Sequence, residues 1–177
     1  MRTRKFLLAA ALPLALPLAL GAGMAHGAAH GMKGMSAELT DRDGKAVGTV
    51  MLQPTASGQT VVKLKLEGLP EGEHGVHIHQ TGDCSADDFS SADGHLAGDK
   101  EHGVMAEGGP HPGDLPNVMV GSDGMVNVTY FKAGLDMGMV DDEDGAGFIV
   151  HAGADDYESQ PAGDAGDRIA CGTFEAM

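Results

Sequence analysis

The sequence predicts an all-β domain, a sandwich or flattened barrel of about eight strands, and three features carry that expectation. Short runs that alternate or stay apolar recur from Ala37 onward. Asp-Gly pairs punctuate them, and almost no stretch keeps a helical period. Residues 46–53 and 60–69 are the first strands expected, the second rich in β formers such as Val61, Leu64 and Leu66. Asp41-Arg42-Asp43-Gly44 and Ser122-Asp123-Gly124 read as hairpin turns, because Asp-Gly supplies the positive φ that such turns need. Residues 117–120 and 125–131 are the strands expected on either side of the second turn, and 148–151 and 169–174 are two more. That makes seven or eight strands in about 140 residues.

Residues 81–116 and 153–167 do not read as strands. Both are long, rich in Gly and Asp and poor in apolar side chains, and long loops in a compact domain are functional or disordered. The first carries His95, His102 and His111, and the second leads into Arg168, which points to function.

The amino terminus has the secretory pattern: Arg2, Arg4 and Lys5, an uncharged stretch over 6–20, then small residues over 21–29. Its fifteen apolar residues include Pro13 and Pro17 and fall short of the roughly 20 a membrane span needs. Residues 1–27 are therefore expected to be a cleaved signal, 28–36 a flexible tail and 37–177 the domain. His30, Met32 and Met35 in that tail are donors that suit Cu(I). Cleavage leaves eight basic residues against 26 acidic ones, a formal charge of −18. Such a chain has no electrostatic reason to bind nucleic acid or anionic lipid, and no membrane partner is expected after cleavage. In an oxidising compartment Cys84 and Cys171, the only cysteines, read as a disulfide. Closing a loop of that order stabilises by at most about 4–5 kcal/mol in the chain-entropy model.

Apart from His26 and His30, the histidines are His74, His77, His79, His95, His102, His111 and His151, six of them crowded between 74 and 111. On a strand, His77 and His79 share a face and reach one ion. Several imidazoles suit copper or zinc, and a tetragonal nitrogen set points to Cu(II). His95, His102, His111 and Asp114 supply three imidazoles and a carboxylate, the closed four-ligand shell that zinc takes in structural sites.

His74-Gly75-Val76-His77-Ile78-His79, Gly94-His95, His111-Pro112-Gly113-Asp114-Leu115-Pro116-Asn117, Val150-His151 and Gly166-Asp167-Arg168-Ile169-Ala170-Cys171-Gly172 stand in this order. Together they resemble the copper/zinc superoxide dismutases of the bacterial exported type. The resemblance implies a Greek-key β-sandwich with two functional loops, one copper and one zinc ion, superoxide as substrate, a periplasmic location, and a monomer or homodimer. It implies copper ligands at His77, His79, His95 and His151, and zinc ligands at His95, His102, His111 and Asp114, with His95 bridging. Asp155 would link a copper histidine to a zinc histidine, Arg168 would stand beside the copper, Cys84 would pair with Cys171, and His74 would be structural. The chain departs from the pattern after His95, where Leu96-Ala97-Gly98-Asp99 follows and the interval to His102 is one residue short. Asp99 and Glu101 are alternative oxygen donors there. The alternative function is a copper- or zinc-binding or delivery protein without turnover. Beyond Lys100 only Lys132 and Arg168 are basic, so the field of the whole molecule is expected to repel superoxide unless Lys100, Lys132 or a partner chain rims the channel.

Overall fold

Residues 33–177 are described by the structure, a computed structural model; the expected signal and residues 28–32 of the expected tail lie outside them. The strands are β1 (Met35–Asp41), β2 (Ala46–Pro54), β3 (Thr60–Leu66), β4 (Gly72–His74), β5 (Val76–His79), β6 (Val118–Val120), β7 (Val126–Lys132), β8 (Gly147–His151), β9 (Arg168–Thr173) and β10 (Glu175–Ala176). Among the described residues the only helical pieces are 3-10 turns at Ser90–Ala92 and Met137–Met139. The main antiparallel sheet runs β5-β8-β9-β1-β2-β3-β7, with β10 on β1, and it curls around one core; β4 and β6 form a separate pair.

Alternation builds that core. Met35, Ala37 and Leu39 of β1, Val50 and Leu52 of β2, and Val62, Leu64 and Leu66 of β3 point inward while their neighbours face out. The pattern slips at Gly48, where the β1–β2 register shifts. Gly48 has φ +136°, and a Cβ there would collide with the Lys65 backbone, so only glycine fits. Met35, expected in the tail, is instead 3 % exposed and paired with Leu52, because its apolar side chain completes the inward row of β1.

The second expected turn also differs. The Gly124 N–H bonds the Gly121 carbonyl, but β6 pairs with β4 and β7 pairs along its whole length with β3. The turn therefore joins two sheets instead of closing a hairpin.

Strands β5 and β8 are buried on both faces. Val76, Ile78, Phe148 and Val150 join the core, while the alternate residues His77, His79 and His151 face the long loops. Loop 81–116 folds back along β5: the Ile78 N–H donates to Gly113 O at 2.9 Å and the Leu96 N–H to Ile78 O at 2.8 Å. That covers the strand edge and brings His95 and Asp114 against the paired histidines.

Candidate metal centre

Tautomers follow from the hydrogen bonds around each ring. His77 Nε2 donates to Asp155 Oδ2 at 2.7 Å, His79 Nδ1 to Asp93 O at 2.8 Å and His151 Nδ1 to Gly166 O at 3.1 Å. A neutral imidazole has one N–H, so each ring keeps a lone pair on its other nitrogen. Those nitrogens, His77 Nδ1, His79 Nε2 and His151 Nε2, are buried without a partner, as is His95 Nε2. The four histidines form one group with donor atoms within 4.8 Å of one another. Buried polar atoms are rarely left alone, so four orphaned lone pairs facing one another fit a nitrogen-loving cation. His74 is different. Its Nδ1 lies 2.7 Å from His151 O and its Nε2 3.0 Å from Pro70 O, so neither nitrogen is free.

The second group comprises His95, His102, His111 and Asp114. Their Nδ1 atoms lie 3.0, 3.1 and 3.1 Å from Asp114 Oδ1. Tetrahedral zinc with ligand bonds near 2.0 Å separates its donors by about 3.3 Å, so this spacing fits that ion. His95 thus presents Nδ1 to one group and Nε2 to the other. Asp155 makes a second link, with Oδ2 on His77 and Oδ1 accepting from His102 Nε2 at 3.0 Å.

His102 is fully buried, whereas Asp99 and Glu101 are exposed and outside both groups. Its backbone is clasped from the other loop: its N–H donates to Gln160 Oε1 at 2.9 Å, and Gln160 Nε2 donates to its carbonyl at 2.8 Å. Asn117 does the same for Asp155, its Nδ2 donating to Asp155 O at 2.9 Å and its Oδ1 accepting from Asp155 N at 3.0 Å. Gly163 has φ +68°, and a Cβ there would overlap the Asp155 carboxylate and the His102 ring. The link between Asp155 and His102 requires that glycine.

Arg168, opposite His151 across a bulge, donates from Nη1 to Phe89 O at 2.6 Å and from Nη2 to Asp93 O at 2.7 Å. Asp93 O also accepts from His79, so one carbonyl holds both the guanidinium and a ring of the first group. Phe89 and Asp93 both have φ 60°, a conformation that side chains other than glycine adopt at a cost of about 1–3 kcal/mol. The disulfide Cys84–Cys171 joins this loop to the strand carrying Arg168, and Cys171 packs with Phe89, Ala92 and Ile149. Arg42, 126 residues away in sequence, donates from Nε to Arg168 O at 2.9 Å and sets a second cation beside it. Nothing in the sequence signals that contact. Lys132, expected as a candidate rim of the channel, instead turns its Nζ onto the backbone carbonyls of His111 and Asp114.

Burial pushes the His77 pKa down to about 3, with Asp155 offsetting only part, and that of His151 down to about 4; His79 is lowered well below its usual value for the same reason. His102 is also penalised by burial, but Asp114 and Asp155 outweigh that and raise it to about 9. Burial alone would raise the two carboxyls; hydrogen bonds, above all from His102, hold both well below the usual range. The metal-free fold should therefore be acid-labile in a defined window. His77 and His151 sit below the ordinary 6.5, so their contribution is present above about 6.5 and is lost as pH falls toward 4 and 3. His102 contributes with the opposite sign, fully present below about 6.5 and lost as pH rises through about 9, so it offsets nothing in that acid window. The carboxylates add their loss only below about 3.8. The melting temperature of metal-free protein should fall steadily from pH 6.5 to 4; a flat profile there would show that these rings are not buried neutral.

Residues 46–174 match the family described as Copper/zinc superoxide dismutase (SODC). A copper–zinc superoxide dismutase of Aquifex aeolicus is 39% identical over 145 residues, 78% of this chain and 84% of the relative. One from Caulobacter vibrioides is 37% identical over 142 residues, 75% and 80% of the two chains. The crystal structure of a superoxide dismutase-like protein from Bacillus subtilis superposes with a TM-score of 0.72 at 38% identity, covering 78% of this chain and 96% of that one. The enzyme from Brucella abortus gives 0.67 at 30% identity, over 81% and 100%. Matched in sequence over most of its length and in fold to solved members, the chain belongs to the copper/zinc superoxide dismutase family.

Proposed function

We propose that this chain is an exported superoxide dismutase, with copper held by His77, His79, His95 and His151 and zinc by His95, His102, His111 and Asp114. The observation that carries the reading is the set of four buried, partnerless imidazole nitrogens beside the Arg168 guanidinium. When bound, copper supplies a one-electron couple and zinc a redox-silent charge that supports the loop and the bridging ring. In the net reaction two superoxide anions and two protons become dioxygen and hydrogen peroxide. Arg168 attracts and hydrogen-bonds the anion. The lone pair of His95 Nε2 would serve copper and a proton in alternation, the nitrogen taking the proton when it releases the metal and giving it up to the departing peroxide, while its Nδ1 stays with the zinc group. Asp155 fixes the orientation of His77 and His102. We further propose that residues 1–27 are cleaved on export and that the mature chain acts in the periplasm, as a monomer or homodimer. The disulfide suits an oxidising compartment.

A second reading is metal binding or delivery without turnover, for which the two buried donor groups alone would suffice. One experiment separates the two. Mature protein should carry one copper and one zinc per chain and dismutate superoxide; both metals bound without turnover would establish the second reading.

A further inference from the structure

We infer that Lys132 is a positioning residue for zinc, gripping from behind the turn that carries two of its ligands. The inference rests on the ligand reading above, since it concerns His111 and Asp114. Lys132 Nζ donates to His111 O at 3.0 Å and to Asp114 O at 2.7 Å. These residues begin and end a four-residue turn closed by Asp114 N–H to His111 O at 3.2 Å, and the His111 N–H donates to Asp114 Oδ2 at 2.9 Å. The side chains of the turn meet at 3.1 Å on the metal side, His111 Nδ1 against Asp114 Oδ1, while its carbonyls converge on the ammonium.

The other end of the grip is rigid. Lys132 is the last residue of β7 and pairs with Thr60 of β3, and the Thr60 hydroxyl is anchored on Leu135 O at 3.0 Å. A loop ligand pair is thereby referenced to a seven-residue ladder. An ammonium suits this position because it offers three donors from one atom, enough for two carbonyls, and its charge strengthens each bond. Lys132 is half-buried, beside a groove lined by Leu115, Pro116, Phe131 and Tyr157, so those carbonyls would lose a close partner if it were removed. The lysine touches neither ligand atom of its two residues; it acts through their main chain.

The test uses mature protein loaded with both metals, a zinc chelator in excess, and the variants Lys132→Met and Lys132→Arg. Lys132→Met should release zinc about 10–100 times faster, the range for losing an outer partner of a metal site. Copper release should stay at the parent rate. Lys132→Arg, which keeps charge and donors, should restore most of the retention. Unchanged zinc release in Lys132→Met would overturn the inference. So would equal loss of both metals with a lower melting temperature in the metal-free form, since that marks general support of the fold. If the parent itself takes up no zinc, the ligand reading fails and this inference with it.

Discussion

Converting His151 to alanine should lower dismutation by more than about 100-fold, beyond the range expected for an outer partner alone, and leave zinc near one equivalent. His151 belongs only to the first group, the one proposed for copper, so the atoms of the second group and their spacing are untouched. The substitution removes one of four converging lone pairs and leaves three that do not close a tetragonal set. The Gly166 carbonyl would also lose the ring it accepts from, so some loosening at the end of loop 153–167 is expected. Elemental analysis and a superoxide assay on the same sample decide the matter. Full activity with His151 absent would remove it from the reaction; loss of both metals would mean that the two groups are not separable.

Arg168→Ala should cut activity severalfold to tenfold or more, and Arg168→Glu further, with both metals still bound. At about 5 Å and an effective dielectric near 20, a unit charge attracts the anion by on the order of 3 kcal/mol. The formal charge, −15 for the whole chain and −18 if residues 1–27 are cleaved as proposed, acts from farther away, and charges beyond roughly 10 Å are largely screened at 0.1 M salt. Arg42 strengthens the local side of that balance because it is fastened to the Arg168 carbonyl. Rates across ionic strength should therefore fall with added salt in the parent, as expected for focused attraction, and rise in Arg168→Glu. If Arg168→Glu matches the parent at every salt concentration, Arg168 does not guide the substrate.

Wherever a side chain's own chemistry carries the information, the sequence is readable. His77 and His79 share a face because strands alternate, and His95, His102, His111 and Asp114 assemble as one group beside that of His77, His79, His95 and His151. The Asp-Gly turn at 41–44 and the apolar alternation of β1 to β3 likewise follow local rules. What stays hidden acts through the main chain or over long separations. Phe89 and Asp93 matter for their carbonyls, Gln160 for a clasp on His102 58 residues away, and Gly163 for the side chain it lacks. β4 is three residues long, too short for periodicity to reveal, so local pattern gives the expected strand at 117–120 the neighbouring run as partner instead.

Two residues, His95 and Asp155, touch both metal groups at once, one through its two ring nitrogens and the other through its two carboxylate oxygens. With the ligands as proposed, this sharing is a thermodynamic statement as well as a geometric one. Filling either group orders a ring and a carboxylate that the other must otherwise order for itself. By linkage, whatever factor zinc occupancy adds to copper affinity, copper occupancy must add to zinc affinity.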